Sequence, residues 1–146
     1  MQTFVPHITF PDCARVLDRQ RLGKQRVECL QILKALSGSS KGWVNHPATK
    51  MWRGYEPALC WYAFAVCNEW CKRGYADTCR EKITQMAINL FKFDPHGIDN
   101  IDFRMPHWWT GPIHATHRAV LLHKDHDWYG QFNWLETPSE EYHWPT

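Results

Sequence analysis

Residues 12–36 constrain the fold most strongly, because their apolar and polar side chains separate onto two faces of a helix. Pro11 and Asp12 are typical of a helix start, since Asp12 can accept hydrogen bonds from the first turn and its charge suits the helix dipole. One face is apolar and collects Leu22, Cys29, Leu30 and Leu33. The other face surrounds a single carboxylate, Glu28, with Arg21, Lys24, Gln25 and Gln31. The pattern predicts one long helix, with a kink expected near Gly23.

The polar face has an ordinary explanation. Lys24 and Glu28 are four residues apart, and such a pair on a solvated helix stabilises it by only a few tenths of a kcal/mol. Taken alone, the segment favours this solvated face over a site. The rest of the chain changes that balance.

Composition limits what kind of site the chain can hold. Its 146 residues predict one domain, 1–146, which is long enough to bury a core. Nine tryptophans, seven phenylalanines and five tyrosines exceed what such a core needs, so some are expected to line a groove or stack on a ligand. The net charge of +2 excludes a polybasic binder. A nucleic-acid site would therefore require local clustering of cations.

Cysteine usage and hydropathy indicate a cytoplasmic protein. The chain has six cysteines and no CxxC motif, and five of the six fall inside helical patterns, which predicts reduced thiols. The N-terminus lacks the charged start and apolar core of a secretory signal. The longest apolar run, residues 59–67, is too short to span a bilayer. We therefore predict no membrane partner.

The remaining segments predict an all-α domain of about four helices. Residues 1–11 carry two prolines and are expected to form an extended arm. Residues 56–73 are apolar nearly all round, which predicts the central buried helix. A capping box at Thr78 begins a third helix, and Pro112 begins a short fourth one. Residues 91–112 are expected to be irregular.

Residues 43–55 are aromatic and basic. They interleave Trp43, Trp52 and Tyr55 with His46, Lys50 and Arg53. Such a mixture suits a nucleic-acid groove, since cations meet phosphates while rings stack on bases. A loop whose tryptophans fill the core explains the same residues equally well, and the sequence leaves both open.

Histidines in the fourth helix raise the question of a metal. His114, His117 and Arg118 share a predicted polar face, and His123 and His126 follow. No carboxylate or thiolate at metal-ligand spacing joins them, so we predict no metal site. Histidines near phosphate, or simply at the surface, are the favoured interpretation.

Three segments together resemble the phage-type pyrimidine-dimer DNA glycosylases of the endonuclease V type. They are residues 17–28 (LDRQRLGKQRVE), 70–78 (WCKRGYADT) and 117–129 (HRAVLLHKD followed by WY). The resemblance includes the bacterial and phage relatives whose sequences begin Met-Gln-Thr-Phe. It implies an all-α single domain whose N-terminal arm packs against the first long helix.

The resemblance also implies a catalytic pair, formed by the α-amine of the chain and one glutamate. Glu28 falls at the glutamate's position, and Gln20 and Leu22 also match. The best-known member loses its initiator and presents threonine. Here the bulky Gln2 is expected to retain Met1, so Met1 would supply the amine. The arm is also several residues longer than in that member.

The chemistry implied by the family explains this choice of groups. A glycosylase that also cuts the strand needs an amine that attacks C1′ of deoxyribose and holds the sugar as an imine. An α-amine, with an ordinary pKa near about 7.8, is partly neutral at neutral pH, whereas a lysine, with an ordinary pKa of about 10.4, is almost fully charged. A nearby carboxylate stabilises the developing cation and removes the C2′ proton. No metal or organic cofactor is required.

The implied activity is excision of a damaged or modified pyrimidine from double-stranded DNA, with AP-lyase cleavage, by a monomer in a bacterial cell or phage-infected host, at the nucleoid. The residues expected to contact DNA are Gln20, Arg21, Lys24, Gln25, His46, Arg53, His117, Arg118 and Lys124. Two alternatives remain: an enzyme of the same fold that processes a hypermodified phage base, and a non-catalytic binder of distorted DNA.

Overall fold

The computed structural model describes residues 1–96 and 103–145, and all regular structure within them is helical. The predicted all-α class is confirmed, but the count of about four helices is wrong, since the described residues contain seven α-helices. These are α1 (Phe10–Val16), α2 (Arg19–Ser37), α3 (Pro47–Trp52), α4 (Glu56–Lys72), α5 (Cys79–Asn89), α6 (Ile113–Lys124) and α7 (His126–Tyr129). Two 3₁₀ turns, His107–Thr110 and Gly130–Phe132, complete the set.

The predicted helix over residues 12–36 is two helices. Leu17 is extended, and Asp18 begins α2 by accepting a hydrogen bond from the backbone N–H of Arg21 at 3.3 Å. Thr9, rather than Asp12, caps α1. The chain therefore breaks at Leu17 and Asp18, about one and a half turns before Gly23, the position at which we expected a kink.

Helix α4 is the central buried helix, as predicted. It packs against α1, α2 and α5, and much of its length is inaccessible to solvent. All six cysteines are free and five are buried. Burial raises the pKa of Cys60 to about 12, so this thiol stays protonated at neutral pH.

The N-terminal arm packs along α2, which confirms the expectation drawn from the resemblance. The backbone N–H of Phe4 donates to Gln25 of α2 at 2.9 Å, and the carbonyl of Phe4 accepts from the Tyr62 hydroxyl of α4 at 2.6 Å. The N–H of Val5 donates to His117 of α6 at 2.9 Å. The arm therefore runs through the middle of the molecule, and three helices fix its position.

Residues 43–55 contain α3, and the core-filling interpretation holds for one of their tryptophans. Trp52 is fully buried and its indole N–H donates to Thr3 at 2.8 Å, so this tryptophan fills the core. Trp43 remains 48% exposed. Residues 91–96 and 103–112 are irregular apart from the first 3₁₀ turn, as expected for 91–112, of which 97–102 lie outside the described residues.

The C-terminal tail (residues 133–145) has no regular structure and folds back over α6. The N–H of Ser139 donates to the carbonyl of Ala119 at 3.1 Å. Aromatic side chains of the tail then reach the arm and α3, with Tyr142 beside Phe4 and Trp144 beside His46. None of the described helices is long and apolar enough to cross a membrane.

Candidate active site

A cavity of about 480 Å³ lies where the arm, α2 and the tail meet. Most of the predicted site residues line it: Met1, Gln20, Arg21, Lys24, Gln25, Glu28, His46 and Lys124. The sequence did not identify the other four lining residues, Gln2, Phe4, Tyr142 and Trp144. We call this space the α2 cavity.

Glu28 accepts a hydrogen bond from the N-terminal arm. Its side chain is mostly buried, and Oε2 accepts a hydrogen bond from the backbone N–H of Gln2 at 3.0 Å. Its Oε1 lies 3.4 Å from Nζ of Lys24, the ion pair expected from the four-residue spacing. This hydrogen bond holds the first peptide unit against Glu28, and Met1 lines the same cavity.

Gln25 holds the arm in place. It is almost fully buried, its Oε1 accepts from the N–H of Phe4, and its Nε2 donates to the carbonyl of Gln2 at 2.6 Å. Both ends of the amide are therefore used by the arm. Gln25 therefore positions the arm, and its predicted contact with DNA stays a prediction.

The Gln2 side chain ends in an unused donor. Its Oε1 accepts from the N–H of Thr3 at 2.8 Å, which fixes the orientation of the amide. Its Nε2 is buried and has no hydrogen-bond partner within the described residues. An unsatisfied buried donor at a cavity wall is a candidate contact for a ligand or a water molecule.

His46 lines the cavity and interacts electrostatically with the α-amino group and with Glu28. It caps α3, with Nδ1 accepting from the N–H of Ala48 at 3.0 Å, so the neutral ring carries its proton on Nε2. Burial lowers the pKa of His46, the nearby α-amino group of Met1 lowers it further, and the Glu28 carboxylate opposes both effects. The amine, the imidazole and the carboxylate are thus close enough to influence one another.

Three predicted residues do not reach the α2 cavity. His117 has no exposed surface, its Nδ1 accepts from Val5, and burial lowers its pKa to about 3. A neutral, buried ring cannot meet a phosphate, so the predicted DNA contact of His117 is wrong. Arg118 donates to both carboxylate oxygens of Glu136, at 2.9 and 3.0 Å, and to the carbonyl of Pro6, so its charge is already paired. Arg53 is exposed but lies outside the cavity.

The predicted histidine face does not form a metal centre. His114 is buried, with its ring nitrogens bonded to the carbonyls of Val5 and Trp109, both at 2.7 Å. Within the described ranges, no group of three or more histidine, cysteine, aspartate or glutamate side chains could hold a metal ion.

The α2 cavity therefore brings together an amine, a carboxylate and several cations. The ammonium of Lys24 is largely exposed, and Lys124 lies over the ring of Tyr142 at 5.9 Å. The Arg21 guanidinium pairs with Asp18 at 3.2 Å and remains partly exposed. Cations at a cavity mouth attract anions, and an amine near a carboxylate is able to carry out nucleophilic and proton-transfer chemistry.

Residues 1–82 match the family model described as pyrimidine dimer DNA glycosylase. The match takes in the arm, α1 to α4 and the start of α5, and so includes both Met1 and Glu28. Lys124, Tyr142 and Trp144 lie beyond it. No curated protein and no solved structure matches the chain. Because the family model covers more than half of the chain, the protein belongs to the pyrimidine dimer DNA glycosylase family.

Proposed function

We propose that this glycosylase removes a damaged or modified pyrimidine from double-stranded DNA and then cuts the strand as an AP lyase. The α-amine of Met1 is the nucleophile and Glu28 is the acid–base group. The observation that carries the proposal is the 3.0 Å hydrogen bond from the N–H of Gln2 to Glu28, inside a cavity lined by Met1.

Base release begins with the neutral amine. Its nitrogen bonds to C1′ while the bond from C1′ to the base breaks, and the base leaves with the bonding electrons and takes a proton from solvent. Glu28 accepts the proton that the amine loses. The bond between C1′ and O4′ then opens, the nitrogen lone pair forms the C=N bond, and Glu28 returns the proton to O4′.

Strand cleavage uses the same carboxylate again. The resulting iminium acidifies C2′, and Glu28 removes a C2′ proton as the bond from C3′ to the phosphate oxygen breaks. Water then hydrolyses the imine and frees the enzyme. A single carboxylate next to the amine therefore suffices for all three proton transfers.

Cations at the cavity mouth supply the contact with DNA. Arg21, Lys24 and Lys124 line the cavity, and each can meet a phosphate flanking the target nucleotide. His46 and Gln20 lie among them as polar groups able to reach the sugar or base. We propose that the protein acts as a monomer, because this one chain supplies every group in the mechanism.

Borohydride trapping on a duplex with one abasic site tests the nucleophile. We expect a covalent adduct whose label maps to the N-terminal peptide, and we expect acetylation of the α-amine to abolish the adduct. The Lys24→Arg variant is the matched control, since it keeps the charge but cannot form an imine, and it should trap normally. An acetylated protein that still traps, with the label on the Lys24 peptide, would overturn the assignment.

A panel of duplexes identifies the substrate. Duplexes carrying a thymine dimer, uracil or a hypermodified thymine are incubated with the enzyme, and base release is measured. Release from the dimer duplex alone would support repair of pyrimidine dimers, and release from the hypermodified duplex would support the alternative enzyme. Binding to distorted DNA with neither trapping nor release would instead identify a non-catalytic binder.

A further inference from the structure

Trp43 adopts a conformation and an exposure that its local packing does not explain. Its backbone lies in the left-handed region with φ of 67°, which bulky residues rarely adopt. Almost half of its side chain is exposed, so burial of the ring does not compensate for the strain. Strained backbone that holds an exposed aromatic ring is a feature of functional sites.

The Trp43 ring lies at the rim of the α2 cavity. It contacts the ring of His46 edge-on, with 5.5 Å between centroids, and His46 in turn contacts Trp144 at 5.8 Å. Both of these partners line the cavity, whereas Trp43 does not. The carbonyl of Trp43 accepts from the N–H of His46 at 3.1 Å, which closes the turn that holds the ring outside.

The surroundings of Trp43 carry positive charge. Lys41, Lys50 and Arg53 are exposed, and residues 41–55 contain no carboxylate. The guanidinium of Arg53 donates to the carbonyl of Val44 at 3.2 Å and so anchors the turn. An exposed aromatic ring flanked by cations suits a surface that meets stacked bases between phosphates.

We propose that Trp43 is a wedge that enters the base stack of duplex DNA beside the target nucleotide. The wedge rests on the proposed function, because attack at C1′ requires a nucleotide that has left the stack or a sharply kinked duplex. Apolar side chains that insert between base steps unstack them and bend the DNA. Trp43 performs this task at the rim, while Met1 and Glu28 act inside the cavity.

A binding experiment without chemistry tests the wedge directly. The probe is a duplex that contains one tetrahydrofuran abasic analogue, which cannot form an imine, with a fluorophore at each end. We expect wild-type protein to shorten the end-to-end distance measured by energy transfer. Trp43→Ala should lose most of that change and bind about tenfold more weakly, because it loses the stacking of one aromatic ring. Trp43→Phe should retain most of both effects.

Two further variants separate a wedge from a structural role. Trp128→Ala removes another partly exposed tryptophan, one that does not line the cavity and whose indole N–H donates to Val16, and it should bend the duplex like wild type. Trp43→Gly should be at least as stable to heat as wild type, because glycine accepts a positive φ without strain, and should bend the DNA no better than Trp43→Ala.

Base release gives a second readout. On a thymine-dimer duplex, Trp43→Ala should release base at least about tenfold more slowly, and on the same strand without its complement it should match wild type. Unchanged bending by Trp43→Ala, or an equal loss on duplex and single strand, would overturn the wedge. If wild-type protein releases base from no duplex of the panel but bends the duplex in a Trp43-dependent way, the proposed function fails and the wedge stands.

Discussion

At the scale of single residues, Glu28 combines burial with two defined partners, one for each carboxylate oxygen. Replacing it with Gln should preserve the fold, since the amide oxygen can still accept from the N–H of Gln2. Base release should fall by about 100-fold or more, the typical effect of losing an acid–base group. Single-turnover release checks this, and Glu81→Gln on the exposed face of α5 is the matched control. Near-normal turnover of Glu28→Gln would remove the carboxylate from the mechanism.

The sequence predicted those cavity residues that share a local pattern. Glu28, Lys24 and Arg21 were found because helical periodicity sets them on one face, and His46 because it lies between aromatic and basic residues. Gln2, Tyr142 and Trp144 were missed, because only the path of the arm and tail brings them to the cavity. For Tyr142 and Trp144 the available signal was the aromatic composition, which predicted that some rings line a groove without indicating which ones.

His117 shows where a residue-scale pattern fails. Periodicity placed it on a polar face of α6 with His114, but the arm covers that face and both imidazoles bond to Val5. A buried histidine that accepts a backbone hydrogen bond has the same sequence signature as an exposed one. Only the position of the arm distinguishes them.

At the scale of elements, Gly23 sets the distance between α2 and α4. A Cβ at this position would come within 2.9 Å of the Trp70 ring, which is itself stacked on Tyr75 and therefore cannot move freely. Gly23→Ala should lower the free energy of unfolding by about 1 kcal/mol, because overpacking costs more than the gain in helix propensity. Denaturant unfolding measures this change, and adding Trp70→Phe should recover part of the loss. A Gly23→Ala variant that is more stable than wild type would contradict the packing argument.

The element boundaries that the sequence did not predict depend on features that leave no periodic signal. Asp18 lies inside a periodic pattern, yet its carboxylate caps α2 and also accepts from the Tyr129 hydroxyl, a partner 111 residues away. Helices α3 and α7 span only six and four residues, too few for periodicity to indicate them. The long helix α4 was predicted well because burial of most side chains between Ala58 and Cys67 leaves a nearly continuous apolar pattern.

At the scale of the whole molecule, stability should depend on pH through His117. Its folded pKa of about 3 lies below the unfolded value near about 6.5, so the unfolded state binds more protons between these values. Stability from this group is therefore complete above about pH 6.5 and is lost as the pH falls, by about 1.4 kcal/mol per pH unit. His117→Asn, whose amide oxygen can still accept from Val5, should lose that slope between pH 4 and 6 in urea unfolding. The exposed His126→Asn variant should keep it, and equal slopes in all three proteins would contradict the assignment.

The charge of the whole molecule also limits how it binds DNA. A net charge of only +2 gives an electrostatic field that is too weak to supply the affinity. We therefore expect Arg21, Lys24 and Lys124, which line the cavity, to make the phosphate contacts, so each change to Gln should weaken binding to any sequence. Each lost contact should also reduce the slope of log affinity against log salt by about one unit. Lys82→Gln, on the exposed face of α5, removes one charge outside the cavity and should leave the slope unchanged. If Arg21→Gln and Lys24→Gln retain the wild-type slope, α2 does not face the duplex, and the amine and carboxylate beside it would have to meet DNA by another route.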